Sequence, residues 1–189
     1  MPERSAKQKQ TYSLSQFTIL IAEDFGFMAS LLSSMLREFG VGRILMAESG
    51  NEAINLISIS NADSGSRSHI DLALIDWLMP DGSGMETIAW IRSHKNETIR
   101  FLPSILVSAY ASGDVVQAGR DYGFNEVLVK PVSAEGLASR ILHVIDHPRP
   151  FIKAPNFFGP ERRRQNREYP GEERRVTPSE QIRVNHERY

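Results

Sequence analysis

Phe17-Thr18-Ile19-Leu20-Ile21-Ala22-Glu23-Asp24 is a short aliphatic, β-branched run that ends on two carboxylates. The run is too short for an ordinary helix, and its nearly unbroken apolar character suits a strand buried on both faces. Directly after it, Phe27, Leu31, Leu32, Met35, Leu36 and Phe39 recur at helical spacing until Gly40 stops the pattern. A buried strand, an acidic end and an amphipathic helix make one βα unit.

The unit recurs down the chain. Arg43 to Ala47 reads as a strand and Ser49 to Ser60 as a helix, with Ser49 as N-cap and Glu52 three residues on. Asp71 to Asp76 reads as a strand, followed by a helix from Gly84 to His94. Pro103 to Ser108 and Phe124 to Val129 are two further strands, and Ser112 to Tyr122 and Ser133 to Asp146 are the helices that follow them. Residues 61–69 form a polar loop. Five strands alternating with five helices specify an α/β domain whose parallel sheet is covered on both faces.

Composition divides the chain. Residues 1–147 carry 12 Lys and Arg against 17 Asp and Glu, whereas residues 148–189 carry 10 against 6. An acidic body thus precedes a basic extension, which points to an anionic partner for the extension. The expected organisation is a flexible segment over 1–15, a folded domain over 16–147 and an arginine-rich extension over 148–189. The extension has few aliphatics and many Arg, Glu, Pro and Asn, so it is expected to be disordered until a ligand orders it. The absence of cysteine excludes disulfides, thiolate catalysis and cysteine metal sites. Met1 to Ser15 is polar, and no run approaches the roughly 18 apolar residues of a membrane span. A cytoplasmic protein without membrane insertion is expected.

In open parallel sheets, ligand chemistry gathers at the carboxyl ends of the strands. Those ends carry Glu23-Asp24, Asp76, Ser108 and Lys130-Pro131. A hard cation such as Mg2+ takes carboxylate oxygens. The lysine suits an oxyanion as a point charge, and the serine hydroxyl can donate to it. A carboxylate beside a metal and an ammonium is suited to accept a phosphoryl group. Trp77, Met79 and Met85 are read as packing residues, as is Tyr110. His69, His94, His143, His147 and His186 show no ligand spacing and are read as surface or terminal residues.

Over residues 17–146 the chain resembles the CheY-like receiver domains of bacterial response regulators. The likeness rests on Glu23-Asp24, on Ile75-Asp76-Trp77-Leu78-Met79-Pro80-Asp81-Gly82-Ser83-Gly84, on Ser108-Ala109 and on Lys130-Pro131. It implies a flavodoxin-like, doubly wound sheet of order 2-1-3-4-5. It also implies that Asp76 accepts a phosphoryl group from a histidine kinase or phosphotransfer protein. Glu23, Asp24, Asp76 and the Leu78 carbonyl would hold Mg2+, Ser108 and Lys130 would contact the phosphoryl oxygens, and the Lys130–Pro131 bond would be cis. One departure concerns output. Receivers usually carry Tyr or Phe three residues before the lysine, where this chain has Val127. A β-branched side chain has one stiff torsion and little to swing, so the usual signalling face around the fifth strand is expected to respond weakly.

The extension carries one phrase twice. Phe157-Phe158-Gly159-Pro160-Glu161-Arg162-Arg163 and Tyr169-Pro170-Gly171-Glu172-Glu173-Arg174-Arg175 share aromatic-x-Gly-x-Glu-Arg-Arg, 12 residues apart. Arg164 and Arg167 lie between them. Glutamates repel a phosphate backbone, so their presence beside arginine suggests recognition of base edges. Arginine reads guanine O6 and N7 with two parallel hydrogen bonds, and a carboxylate such as Glu161 or Glu173 can accept from guanine N1 and N2. Phe158, Tyr169 and the guanidinium planes offer stacking faces, while Gly159 and Gly171 permit turns. A two-fold symmetric ligand with two guanines and two phosphates, cyclic di-GMP, fits a phrase written twice. The extension also resembles the arginine-rich tails of CheY-like cyclic di-GMP effectors of alphaproteobacteria, on Phe158 to Arg164 and Gly171 to Arg175. With no nucleophile–base pair or substrate pocket evident, a non-enzymatic protein acting through a partner is expected, and the likeness makes the flagellar motor switch the first candidate. A protein without a DNA-binding domain is expected. An ordinary phospho-accepting receiver, a phosphate sink or shuttle with a passive basic tail, is the alternative. A tail that holds nucleic acid or an acidic protein is a third reading.

Overall fold

The computed structural model describes residues 13–63, 69–110, 113–162 and 183–185. Strands β1 (Thr18–Ala22), β2 (Arg43–Ala47), β3 (Leu72–Asp76), β4 (Ser104–Ser108) and β5 (Glu126–Val129) form one parallel sheet of order β2-β1-β3-β4-β5. Helices α1 (Gly26–Glu38), α2 (Gly50–Ser60), α3 (Gly84–Ser93), α5 (Gly113–Tyr122) and α6 (Ala134–Asp146) alternate with the strands, and a single turn, α4 (Glu97–Arg100), precedes β4. The flavodoxin-like topology is as the sequence implied.

Alternation along each strand splits the core into two layers. Ile19, Ile21, Leu72, Leu74, Ile105 and Val107 face Leu32 and Leu36 of α1 and Leu137, Ile141 and Val144 of α6. Leu20, Ala73, Ile75, Leu106 and Val127 face Ala53 and Ile57 of α2, Ile88 and Ile91 of α3, and Phe124. Each fully buried aliphatic contributes about 1.5–3 kcal/mol relative to exposure, so both layers hold the sheet's strand ends in fixed register. Caps set the helix starts. The Ser49 side chain accepts from the Glu52 amide, and Ser83 and Glu86 form a reciprocal capping box at α3.

Four expectations need correction. Phe27 belongs to the apolar helical pattern, yet it is 69% exposed and rests against the Phe25 ring at 6.1 Å. Tyr110, read as packing, is 54% exposed. The α4 turn was not anticipated, because four residues show no periodicity; Asn96 caps it by accepting from the Thr98 amide.

The fourth correction concerns the start of the extension, read as a connector and then a disordered segment. Strands β6 (Phe151–Ala154) and β7 (Phe157–Pro160) form an antiparallel hairpin with Phe151 opposite Pro160. The Glu161 amide closes it on the Pro150 carbonyl at 2.8 Å. Strand β8 (Arg183–Asn185) lies on the other edge of β6. The physical reason is aromatic rather than aliphatic burial. Phe151 is fully buried and packs edge-on to Phe101 at 4.8 Å and beside Phe158 at 5.4 Å. One aromatic buries as much surface as several small aliphatics. Arg149 anchors the approach by donating to the buried Glu126 carboxylate at 2.7 Å.

Candidate functional site

The sheet order reverses between β1 and β3, and the crevice beyond their carboxyl ends holds the acidic cluster. Glu23 and Asp24 follow β1, and Asp76 ends β3, one register step past the pair Ala22–Ile75. Each of the three offers a carboxylate oxygen within 4.8 Å of the others. Lys130 enters from the end of β5, after which the Lys130–Pro131 bond is cis. Its Nζ lies 2.7 Å from Glu23 Oε2 and 3.1 Å from Asp76 Oδ2.

The electrostatics follow from that crowding. Burial pushes the Glu23 carboxyl above its usual range, and Asp76 repulsion adds to this, while Lys130 opposes both. Burial alone would lower the Lys130 ammonium, but Glu23 and Asp76 outweigh it and raise it. The lysine therefore stays charged. Asp76 Oδ1 accepts from the Trp77 amide at 2.7 Å, which leaves Oδ2 toward the lysine.

These residues fit a hard divalent cation. Glu23 Oε1 is buried without a hydrogen-bond partner, and a hard cation would satisfy that oxygen and relieve the mutual repulsion of the carboxylates. Leu78 sits two residues past Asp76 in the loop between β3 and α3, its side chain exposed. Ser108 ends β4 beside Val129 and is fully buried, its Oγ accepting from the Tyr110 amide at 3.1 Å. The exposed rings of Phe25 and Phe27 and the exposed Leu78 flank the acidic residues in sequence. Helical periodicity placed Phe27 inward and so concealed its exposure.

The extension residues divide in two. Phe158, Gly159, Glu161 and Arg162 lie on or beside the hairpin, against α3 and α5. Arg163, Arg164, Arg167, Tyr169, Gly171, Glu173, Arg174 and Arg175 lie outside the described residues. Sequence reasoning missed the body residues that receive the hairpin. Arg92, buried in α3, donates to the carbonyls of Gly123, Arg100 and Leu102 and to Asn125 Oδ1, and its guanidinium lies 5.0 Å from the Phe151 ring. Nothing periodic marks that role.

Residues 19–142 match the response regulator receiver domain family. The chain belongs to that family. It is 27% identical to chemotaxis protein CheY of Pseudomonas aeruginosa over 128 residues, 68% of this chain and 95% of that protein. It is 32% identical to transcriptional regulatory protein PdtaR of Mycobacterium tuberculosis over 123 residues, 65% of this chain and 54% of that one. The receiver domain of response regulator 1452 from Francisella superposes with a TM-score of 0.58 at 26% identity, covering 70% of this chain and 98% of that one.

The match ends at residue 142, so the hairpin lies beyond the common receiver body. Within this receiver, Val127 occupies the floor of a cavity of about 130 Å³ between α5 and α6, lined also by Val116, Arg120, Val129 and Arg140. A Cβ built on Gly119 would meet Val127 Cγ2 at 3.1 Å and Leu106 Cδ2 at 2.9 Å, so α5 lies close against the sheet there. Among the described residues no helix is long and apolar enough to cross a membrane.

Proposed function

We propose that this receiver is a magnesium-dependent phosphoryl acceptor whose arginine-rich extension binds cyclic di-GMP, and that it acts by protein–protein interaction rather than turnover. The convergence of Glu23, Asp24 and Asp76 on Lys130 carries the first half of this reading. A phosphohistidine on a kinase or phosphotransfer protein is the natural donor. The step forms an oxygen–phosphorus bond at Asp76 and breaks the donor's phosphorus–nitrogen bond, with the imidazole as leaving group. Mg2+, when bound, offsets charge on the transferring group. Lys130 and Ser108 hold phosphoryl oxygens, and the Trp77 amide keeps the Asp76 carboxylate oriented. Trp77 is adjacent to the acceptor, so Mg2+ and beryllofluoride titrations read by tryptophan fluorescence test the site. Saturable quenching in the wild type and none in Asp76→Asn is expected.

The doubled aromatic-x-Gly-x-Glu-Arg-Arg phrase supports the nucleotide half. Its body partner by resemblance is the flagellar motor switch. A plain phosphate sink or shuttle with a passive tail is the second reading, favoured by the engagement of Phe158 and Arg162 with the body. Calorimetry with cyclic di-GMP on the full chain and on Arg174→Ala/Arg175→Ala separates the two. Tight binding lost in the variant supports the effector, and no heat from the full chain leaves the plain receiver.

A further inference from the structure

Part of the first arginine phrase is already committed to the body. Arg162 Nη1 donates to Asp121 Oδ1 at the end of α5, and its guanidinium lies 4.7 Å from the Phe157 ring. Beneath it, Phe158 packs edge-on to Phe101 at 5.3 Å, with the Arg100 guanidinium 4.6 Å from its ring. A Cβ on Gly159 would meet Gly123 Cα at 2.9 Å, so the hairpin and the end of α5 touch backbone to backbone. These contacts differ in strength. The Phe151–Phe158–Phe101 packing rests on a fully buried ring, whereas the Arg162 and Asp121 side chains are 51% and 43% exposed. A half-exposed ion pair is a weak hold. The hairpin therefore stays seated while its arginine can leave.

We propose that Asp121 is an internal competitor for the anionic ligand of the extension. It holds Arg162 in the free protein and yields it when a guanine nucleotide binds, which frees the last turn of α5. The inference rests on the nucleotide reading above. A guanidinium fork presents the same two parallel N–H groups to a carboxylate, a phosphate or a guanine O6/N7 edge, so a ligand that takes the edge bearing Nη1 displaces Asp121 from it. Once released, Asp121 carries an unpaired negative charge at a helix C-terminus, where the helix dipole is also negative. Gly119 is the one buried residue of α5, and Asp121 and Tyr122 at the helix end are exposed, so the clasp holds the exposed side of that turn. Coupling between the clasp and the ligand is reciprocal.

The test uses the full-length protein, titrated calorimetrically with cyclic di-GMP, beside Asp121→Asn and Asp114→Asn. Asp114 is exposed in the first turn of the same helix and serves as the charge-matched control. Asp121→Asn is expected to bind about two- to fivefold tighter than wild type, the factor that a half-exposed ion pair represents, with Asp114→Asn unchanged. Hydrogen exchange over residues 119–123 should rise in wild type on adding cyclic di-GMP and be raised already in ligand-free Asp121→Asn. Wild-type affinity in Asp121→Asn, equal tightening in both variants, or unchanged exchange overturns the competition and leaves the nucleotide reading standing. Absence of binding by wild type and both variants overturns both.

Discussion

Asp24 and Glu23 reach one cluster from different environments. Asp24 is exposed while Glu23 is buried, yet both contribute oxygens to it. Replacing Asp24 by Asn removes one of three negative charges without emptying space, so Mg2+ affinity should fall about tenfold or more. Fluorescence titration checks this, and unchanged affinity would place the metal elsewhere. Lys130 works through charge rather than packing. Lys130→Met should retain the fold but lose most labelling by small phosphodonors, because two carboxylates close to a phosphoryl group would face no cation. The strand-end residues Glu23, Asp24, Asp76, Ser108 and Lys130 were legible in sequence because each follows an unmistakable apolar run. The exposure of Phe27 was not, since helical spacing identifies a face but not where the protein surface cuts it.

Among the elements, α3 begins on the Ser83–Glu86 capping box, with Ser83 Oγ accepting from the Glu86 amide at 3.2 Å. Ser83→Ala should cost about 1 kcal/mol in urea unfolding. The Glu86 carboxyl lies below its ordinary 4.5, held down by the Ser83 amide and then by the Ser83 hydroxyl. A depressed carboxyl stabilises above its unfolded value and loses that contribution as pH falls through the folded value. The stability gap between wild type and Glu86→Gln should therefore be full above pH 4.5 and close in more acidic solution. At α5, Gly119 lies close against Val127, which also lines the cavity of about 130 Å³ beside it, and a stiff β-branched side chain there has little to swing. Beryllofluoride should shift amide resonances near Asp76, Ser108 and Lys130 and leave most of α5 and α6 unmoved. Broad shifts across residues 113–146 would identify another switching residue.

For the whole molecule, the receiver body was legible because each strand, helix and cap repeats one local pattern. The hairpin was not, because its packing partners are distant in sequence: Phe101, Gly123 and Arg92 meet Phe151 and Phe158 only through the tertiary fold. Phe151→Ala should cost about 3–5 kcal/mol and unseat the hairpin, measured by thermal unfolding and by exchange at the Glu161 amide. The separation of an acidic body from a basic extension bears on ligand choice. If the extension reads guanine, cyclic di-AMP should bind far more weakly than cyclic di-GMP at equal salt, whereas equal binding that falls with salt would mark an unspecific anion site. The proposed phosphoryl-acceptor role of Asp76 underlies all of this. Its most direct test is intact-protein mass spectrometry after incubation with acetyl phosphate and Mg2+. The account predicts one added phosphoryl group on wild type, mapped to Asp76 and absent from Asp76→Asn; an unlabelled wild type, or equal labelling of the variant, would contradict it.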